Sequence, residues 1–138
     1  MHRFYPGVIE RLQQIVASDV ELYIVTTKEG RFVKQLLEQQ NIALPASNII
    51  GKESKRPKYE TLRIIRDSYQ TSANLSLFFL EDRLKALQQV AQQSDLDFVS
   101  LFLADWGYNL ESDRTVANQD KRVKLLSLQQ FSQSSYDW

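Results

Sequence analysis

The chain of 138 residues contains no cysteine, which excludes a disulfide framework and thiolate chemistry. Its one histidine, His2, has no acid or thiol at metal-ligand spacing, which argues against a metal role. Neither sign of charge is in excess: seventeen Lys and Arg balance seventeen Asp and Glu, so the footprint of a surface that binds nucleic acid or anionic membrane is missing. The longest apolar runs, such as residues 75–80, are far too short to span a bilayer, and no apolar stretch follows Met1-His2-Arg3-Phe4-Tyr5-Pro6 as a signal peptide requires. A glycine-rich phosphate loop, a Ser/His pair and a nucleophile elbow are all absent. What is present is enough for a core: 43% apolar and 25% charged residues make a globular chain. The expectation is a single cytoplasmic domain over residues 1–138, with no membrane and no nucleic-acid partner.

Five β-like runs recur along the chain, at residues 21–25, 48–51, 75–80, 97–103 and 122–128. Several are apolar on consecutive positions, as strands covered on both faces are. Helical spacing lies between them. Val8, Leu12, Ile15 and Val16 share one face behind Pro6; Phe32, Leu36 and Leu37 share a second, Leu62, Ile65 and Tyr69 a third, and Leu84, Leu87, Val90 and Ala91 a fourth. Strands alternating with helices imply right-handed crossovers and a mainly parallel sheet, because parallel neighbours need a connection of about a dozen residues. The predicted fold class is therefore α/β, a doubly wound and mainly parallel sheet. The tail from Gln129 to Trp138 reads as a short closing helix or a frayed end.

Ligands of open α/β sheets bind beyond the carboxyl ends of the strands, so the residues that follow each apolar run are the informative ones. After Val25 come Thr26, Thr27 and Lys28, whose hydroxyls and backbone N–H groups suit an anion; the same residues suit a threonine N-cap for a helix starting near Glu29. After Leu80 come Glu81 and Asp82, hard oxygen donors of the kind Mg²⁺ prefers, or else a helix cap and a solvent-facing acid. The basic run from Lys52 to Lys58 leads into a helix behind Pro57, which places Lys58 to meet a phosphate or simply forms a solvated loop. Asp95-Leu96-Asp97 pairs two acids but precedes a strand, which puts them at the wrong edge. Asp105-Trp106-Gly107-Tyr108-Asn109 follows a strand, and its aromatics either line a pocket or cover the end of the core.

In order and spacing, three of these strand ends resemble the later motifs of the haloacid dehalogenase (HAD) superfamily, which consists largely of Mg²⁺-dependent phosphatases. Val25-Thr26-Thr27-Lys28 is similar to the motif whose Thr or Ser holds the phosphoryl group; Arg56-Pro57-Lys58 followed by Leu62 resembles the lysine motif; Phe79-Leu80-Glu81-Asp82-Arg83 resembles the acidic motif that holds Mg²⁺. Phe4-Tyr5-Pro6-Gly7-Val8, residues 23–28 and 79–84, and Asp105-Trp106-Gly107-Tyr108-Asn109 look like a branch known from plants and cyanobacteria. The resemblance implies phosphate contacts from Thr26, Thr27 and Lys58, with Thr26 and Lys58 in the catalytic roles. It also implies Mg²⁺ at Asp82 with Glu81, and a small phosphorylated substrate.

The family's first motif, an apolar strand ending in Asp-x-Asp, does not precede these segments, and Tyr5-Pro6-Gly7 resembles the return from the cap to the core. The expectation is a core without its first strand, its nucleophile or its cap. The covalent route through an aspartyl phospho-enzyme is then closed, leaving a phosphatase core with little or no activity. The alternative is a non-catalytic HAD-like protein that works through self-association or a partner subunit. The absent strand would lie between those ending at Thr26 and Glu81, so residues 23–25 either pair directly with residues 77–79 or a second copy fills the gap; the homodimer is the expectation.

Overall fold

The computed structural model describes residues 7–69, 75–107, 109–133 and 138. They divide into two compact units. The first takes the residues up to Lys55 together with Phe131, Ser132 and Gln133; the second runs from Arg56 to Gln130 and includes Trp138. The architecture is α/β with parallel strands in open sheets, as the alternating pattern predicts.

In the first unit, α1 (Val8–Ala17) starts after Gly7, whose φ of 84° lies in the left-handed region that glycine enters without strain. Helix α2 (Gly30–Gln39) ends in a Schellman motif: Asn41 takes φ 59°, its N–H donates to the Glu38 carbonyl, and the Ile42 N–H donates to the Leu37 carbonyl at 2.9 Å. Leu37 and Ile42 then pack with Leu44 and Ile49 as a buried cluster, against which Ile9, Leu12 and Val16 of α1 lie. The strands are short. β1 (Ile24–Val25) pairs in parallel with β2 (Ile49–Ile50), Ile24 opposite Ile49. The run expected from residue 21 is narrower because the buried Asn48 amide donates to the Leu22 carbonyl at 2.9 Å, taking an acceptor that a longer ladder would use.

The second unit carries a three-stranded parallel sheet in the order β3 (Phe78–Glu81), β4 (Ser100–Ala104), β5 (Val123–Leu126). Phe79 pairs with Leu101, and Leu101 with Val123, so these apolar side chains stack in a row on one face. That face packs on α3 (Lys58–Asp67), α4 (Leu84–Ala91) and α5 (Glu111–Gln119) through Leu62, Leu84, Leu87, Val90 and Ala117. On the other face Phe78 and Phe102 lie with ring centroids 5.4 Å apart, and Trp138 packs against both. Arg122 ties the entry to β4, its guanidinium donating to the carbonyls of Val99 at 2.5 Å and Leu96 at 2.9 Å. Among the described residues the tail carries one short helical turn, α6 (Leu128–Phe131). Among the described residues no helix is long and apolar enough to cross a membrane.

Candidate functional site

The carboxyl end of β3 carries the most constrained polar group of the second unit. Alternation along the strand turns Phe79 and Glu81 to the helix-covered face, so Glu81 is a carboxylate only 7% exposed. Burying such a group requires full pairing. Lys58, in the first turn of α3, supplies its ammonium to Glu81 Oε2, and the backbone N–H groups of Asp82 and Arg83 donate to Glu81 Oε1 at 3.1 and 3.2 Å. Those two N–H groups precede α4, whose dipole also favours an anion there. The reading of Glu81 as a solvent-facing acid and Asp82 as a helix cap is corrected: Glu81 is inside, and Arg83 holds the N-cap position without a side-chain bond.

Asp82 sits beside the turn that follows β4. Gly107 approaches it so closely that a Cβ at that position would lie 2.2 Å from the Asp82 Cβ and 2.7 Å from Oδ2. The Asn109 amide donates to the Asp82 carbonyl at 3.0 Å and to the Ala104 carbonyl at 2.7 Å, while Arg114 donates to Asn109 Oδ1 at 2.8 Å. The segment after β4 therefore positions the acidic turn. Asn109 is a residue that strand-end reasoning passed over in favour of the aromatics; the only signal was a polar residue just beyond Gly107. Tyr108 lies outside the described residues, as do His2 and the Phe4-to-Pro6 part of the entry motif.

Thr26 and Thr27 belong to the first unit, at the end of β1. The Thr26 N–H donates to the Ile50 carbonyl at 2.9 Å, and the Thr26 hydroxyl oxygen accepts from the Lys28 N–H at 3.1 Å. The threonine N-cap expected for the next helix is not formed: α2 starts at Gly30 with Glu29 in the cap position and no side-chain cap bond from it. The carboxylate that meets this helix end comes from Glu53, both of whose oxygens accept from the Gly30 N–H at 3.2 Å. Hydrogen bonds from its own backbone N–H and from Gly30 hold the Glu53 carboxyl below the ordinary carboxylate range. An open depression of about 520 Å³ is lined here by Glu29, Gly30, Arg31, Lys52, Glu53 and Lys55.

Asp95 makes ion pairs with Arg63 at 2.8 Å and Arg66 at 2.9 Å, which hold its carboxyl well below the ordinary range; it is engaged at the surface, away from the strand's carboxyl end. Among the described residues no three acidic or histidine side chains converge as a metal site.

Proteins named phosphoglycolate phosphatase are distant relatives of this chain. The one from Photobacterium profundum is 30% identical over 132 residues, 94% of this chain and 53% of its own length. Those from Pseudomonas fluorescens and Pseudomonas syringae pv. tomato are 32% and 28% identical, over 76% and 92% of this chain and 38% and 45% of their own lengths. The chain thus spans about half, or less, of the curated relatives it matches. No protein-family model and no solved structure matches it.

Proposed function

We propose that the chain forms part of the core of a HAD-type phosphatase acting on a small phosphate monoester in the cytoplasm. The observation that carries this reading is the ammonium of Lys58 fixed against a buried acid at the end of β3, with Asp82 the next residue. The relatives named phosphoglycolate phosphatase support the same reaction class. In this reading Thr26 and Thr27 donate to phosphoryl oxygens and Lys58 offsets their charge, which are electrostatic roles.

Mg²⁺, the ion the resemblance implies, neutralises phosphoryl charge when bound. The fit to these residues is partial. Glu81 is engaged by Lys58 and two backbone N–H groups, so this reading assigns the ion to Asp82, with waters completing its shell. Binding to this chain alone is therefore weak.

The 138 residues supply positioning and charge but no Asp-x-Asp pair at a strand's carboxyl end: their one such pair, Asp95-Leu96-Asp97, precedes β4, and Asp95 is held by two arginines. The chain assayed alone with Mg²⁺ and an aryl phosphate should show no more than trace turnover. Phosphate or Mg²⁺ titrations followed by NMR should perturb Thr26, Lys58 and Asp82 before Asp95 or Asp97. Perturbation centred on Asp95 and Asp97 would overturn the site assignment, and saturable turnover lost in Asp82→Ala would overturn the inactive reading.

A second reading, self-association, has its own support. Among the described residues β3 is an edge strand of its sheet, and Phe78 on it is 44% exposed. A second copy pairing along this edge would make a homodimer. Sedimentation equilibrium decides it, since a folded species that stays monomeric across a wide concentration range would reject the dimer.

A further inference from the structure

The loop after β2 and the turn after β1 are bound together more closely than two surface segments need to be. Three bonds link them: Thr26 N–H to the Ile50 carbonyl at 2.9 Å, Lys52 N–H to the Lys28 carbonyl at 2.8 Å, and Gly30 N–H to the Glu53 carboxylate. Two glycines make the approach feasible. A Cβ on Gly51 would lie 2.3 Å from Gly30 N and 2.5 Å from Glu53 Oε2, and one on Gly30 would lie 2.6 Å from Glu53 Oε1. The partners of the turn come from the four residues Ile50 to Glu53, and two of their side chains reach the head of α2: Glu53 accepts from the Gly30 N–H, and the exposed Lys52 ammonium lies 3.9 Å from Glu29 Oε1.

We propose that Glu53 is a positioning residue, a latch whose carboxylate fixes the head of α2 and thereby the geometry in which Thr26 and Thr27 present their donors to an anion. The inference rests on reading Thr26 as a phosphate contact. The latch acts through Gly30 and not on the anion itself. Around it lie Glu29 and Arg31 at the head of α2, and Lys52 and Lys55 on its own loop. Hydrogen bonds from its own backbone N–H and from Gly30, with a smaller contribution from the Lys52 charge, favour the ionised carboxylate.

The test compares the intact 138-residue chain with Glu53→Ala and Glu53→Gln, using inorganic phosphate as the probe and the amide signals of Thr26, Thr27, Lys28 and Gly30 as the readout. In Glu53→Ala, exchange of the Thr26 and Lys28 amides should accelerate at least about tenfold, and phosphate affinity read at Thr26 should fall at least about fivefold, with an unchanged unfolding midpoint. Glu53→Gln keeps one acceptor oxygen for Gly30 and should restore both to within about twofold. Unchanged exchange and affinity in Glu53→Ala would overturn the latch. Tighter phosphate binding in that variant would overturn it differently, making Glu53 a competing internal anion. If phosphate leaves Thr26 of the unaltered chain unmoved, the anion role is overturned, while the exchange rates still decide whether Glu53 orders the turn.

Discussion

After β1 the polar groups lie at the surface and are held mainly by backbone bonds; at the end of β3 the decisive group, Glu81, lies inside and is held by the Lys58 charge together with two backbone N–H groups. The contrast follows from the sheets. β1 and β2 are two residues each, so the turn beyond them stays close to solvent and its order comes from the neighbouring loop. β3 is four residues long and alternates Phe79 and Glu81 onto a face closed by three helices, so its last side chain is carried into the core. Anion recognition at a surface turn is therefore adjustable by small changes, whereas the pair at β3 is tied to the stability of the unit around it.

That difference is most exposed by Lys58→Met. It leaves the Glu81 carboxylate buried with only backbone donors, which should destabilise the chain by about 3 kcal/mol, measured by urea unfolding. Adding Glu81→Gln should recover part of that loss; no recovery would mean that Lys58 stabilises through its packing alone. Gly107→Ala should come next. Its Cβ would meet Asp82 at 2.2 Å, so the cost should be about 2 kcal/mol and the Asp82 and Asn109 signals should shift. Thr26→Val removes one acceptor from an exposed turn and should cost no more than about 1 kcal/mol, yet abolish the phosphate response there. If it unfolded the chain as severely as Lys58→Met, the comparison between the two turns would break.

The smallest effect concerns Asp95. Arg63 foremost, then Arg66, holds its folded carboxyl below the unfolded value. A depressed carboxyl stabilises the fold above the unfolded value and loses that contribution as pH falls toward the folded one. The stability gap between the unaltered chain and Asp95→Asn should thus be constant near neutrality and shrink below about pH 4. A gap that persisted in acid would show that Asp95 acts without its charge.

The five described strands and the first four helices fall where apolar runs and helical spacing place them; each of these helices buries at least one residue of its apolar face, while β1 stays half-buried. Helix α5 gave no such signal. It buries Ala117 and leaves Val116 46% exposed, and it is fixed at its start by Asp113, which accepts from the Leu110 N–H at 3.0 Å. At the candidate site the residue types were legible and their pairing was not. Lys58 and Glu81 stand 23 positions apart, as do Gly30 and Glu53, and only the fold brings each pair within bonding distance. Glu53 drew no notice because it sits in a run of charges whose ordinary fate is solvation.

The chain has two tryptophans, Trp106 and Trp138, and both belong to the second unit; Trp138 packs against Phe78 and Phe102 and donates its indole N–H to the Gln130 carbonyl at 2.9 Å. The protein thus carries its own optical label on one half only. Intrinsic tryptophan emission follows the melting of the β3–β4–β5 sheet, while far-ultraviolet dichroism follows the helices of both halves. Superimposable transitions from the two signals would define one cooperative folding unit, and separated transitions would define two, without any engineered dye.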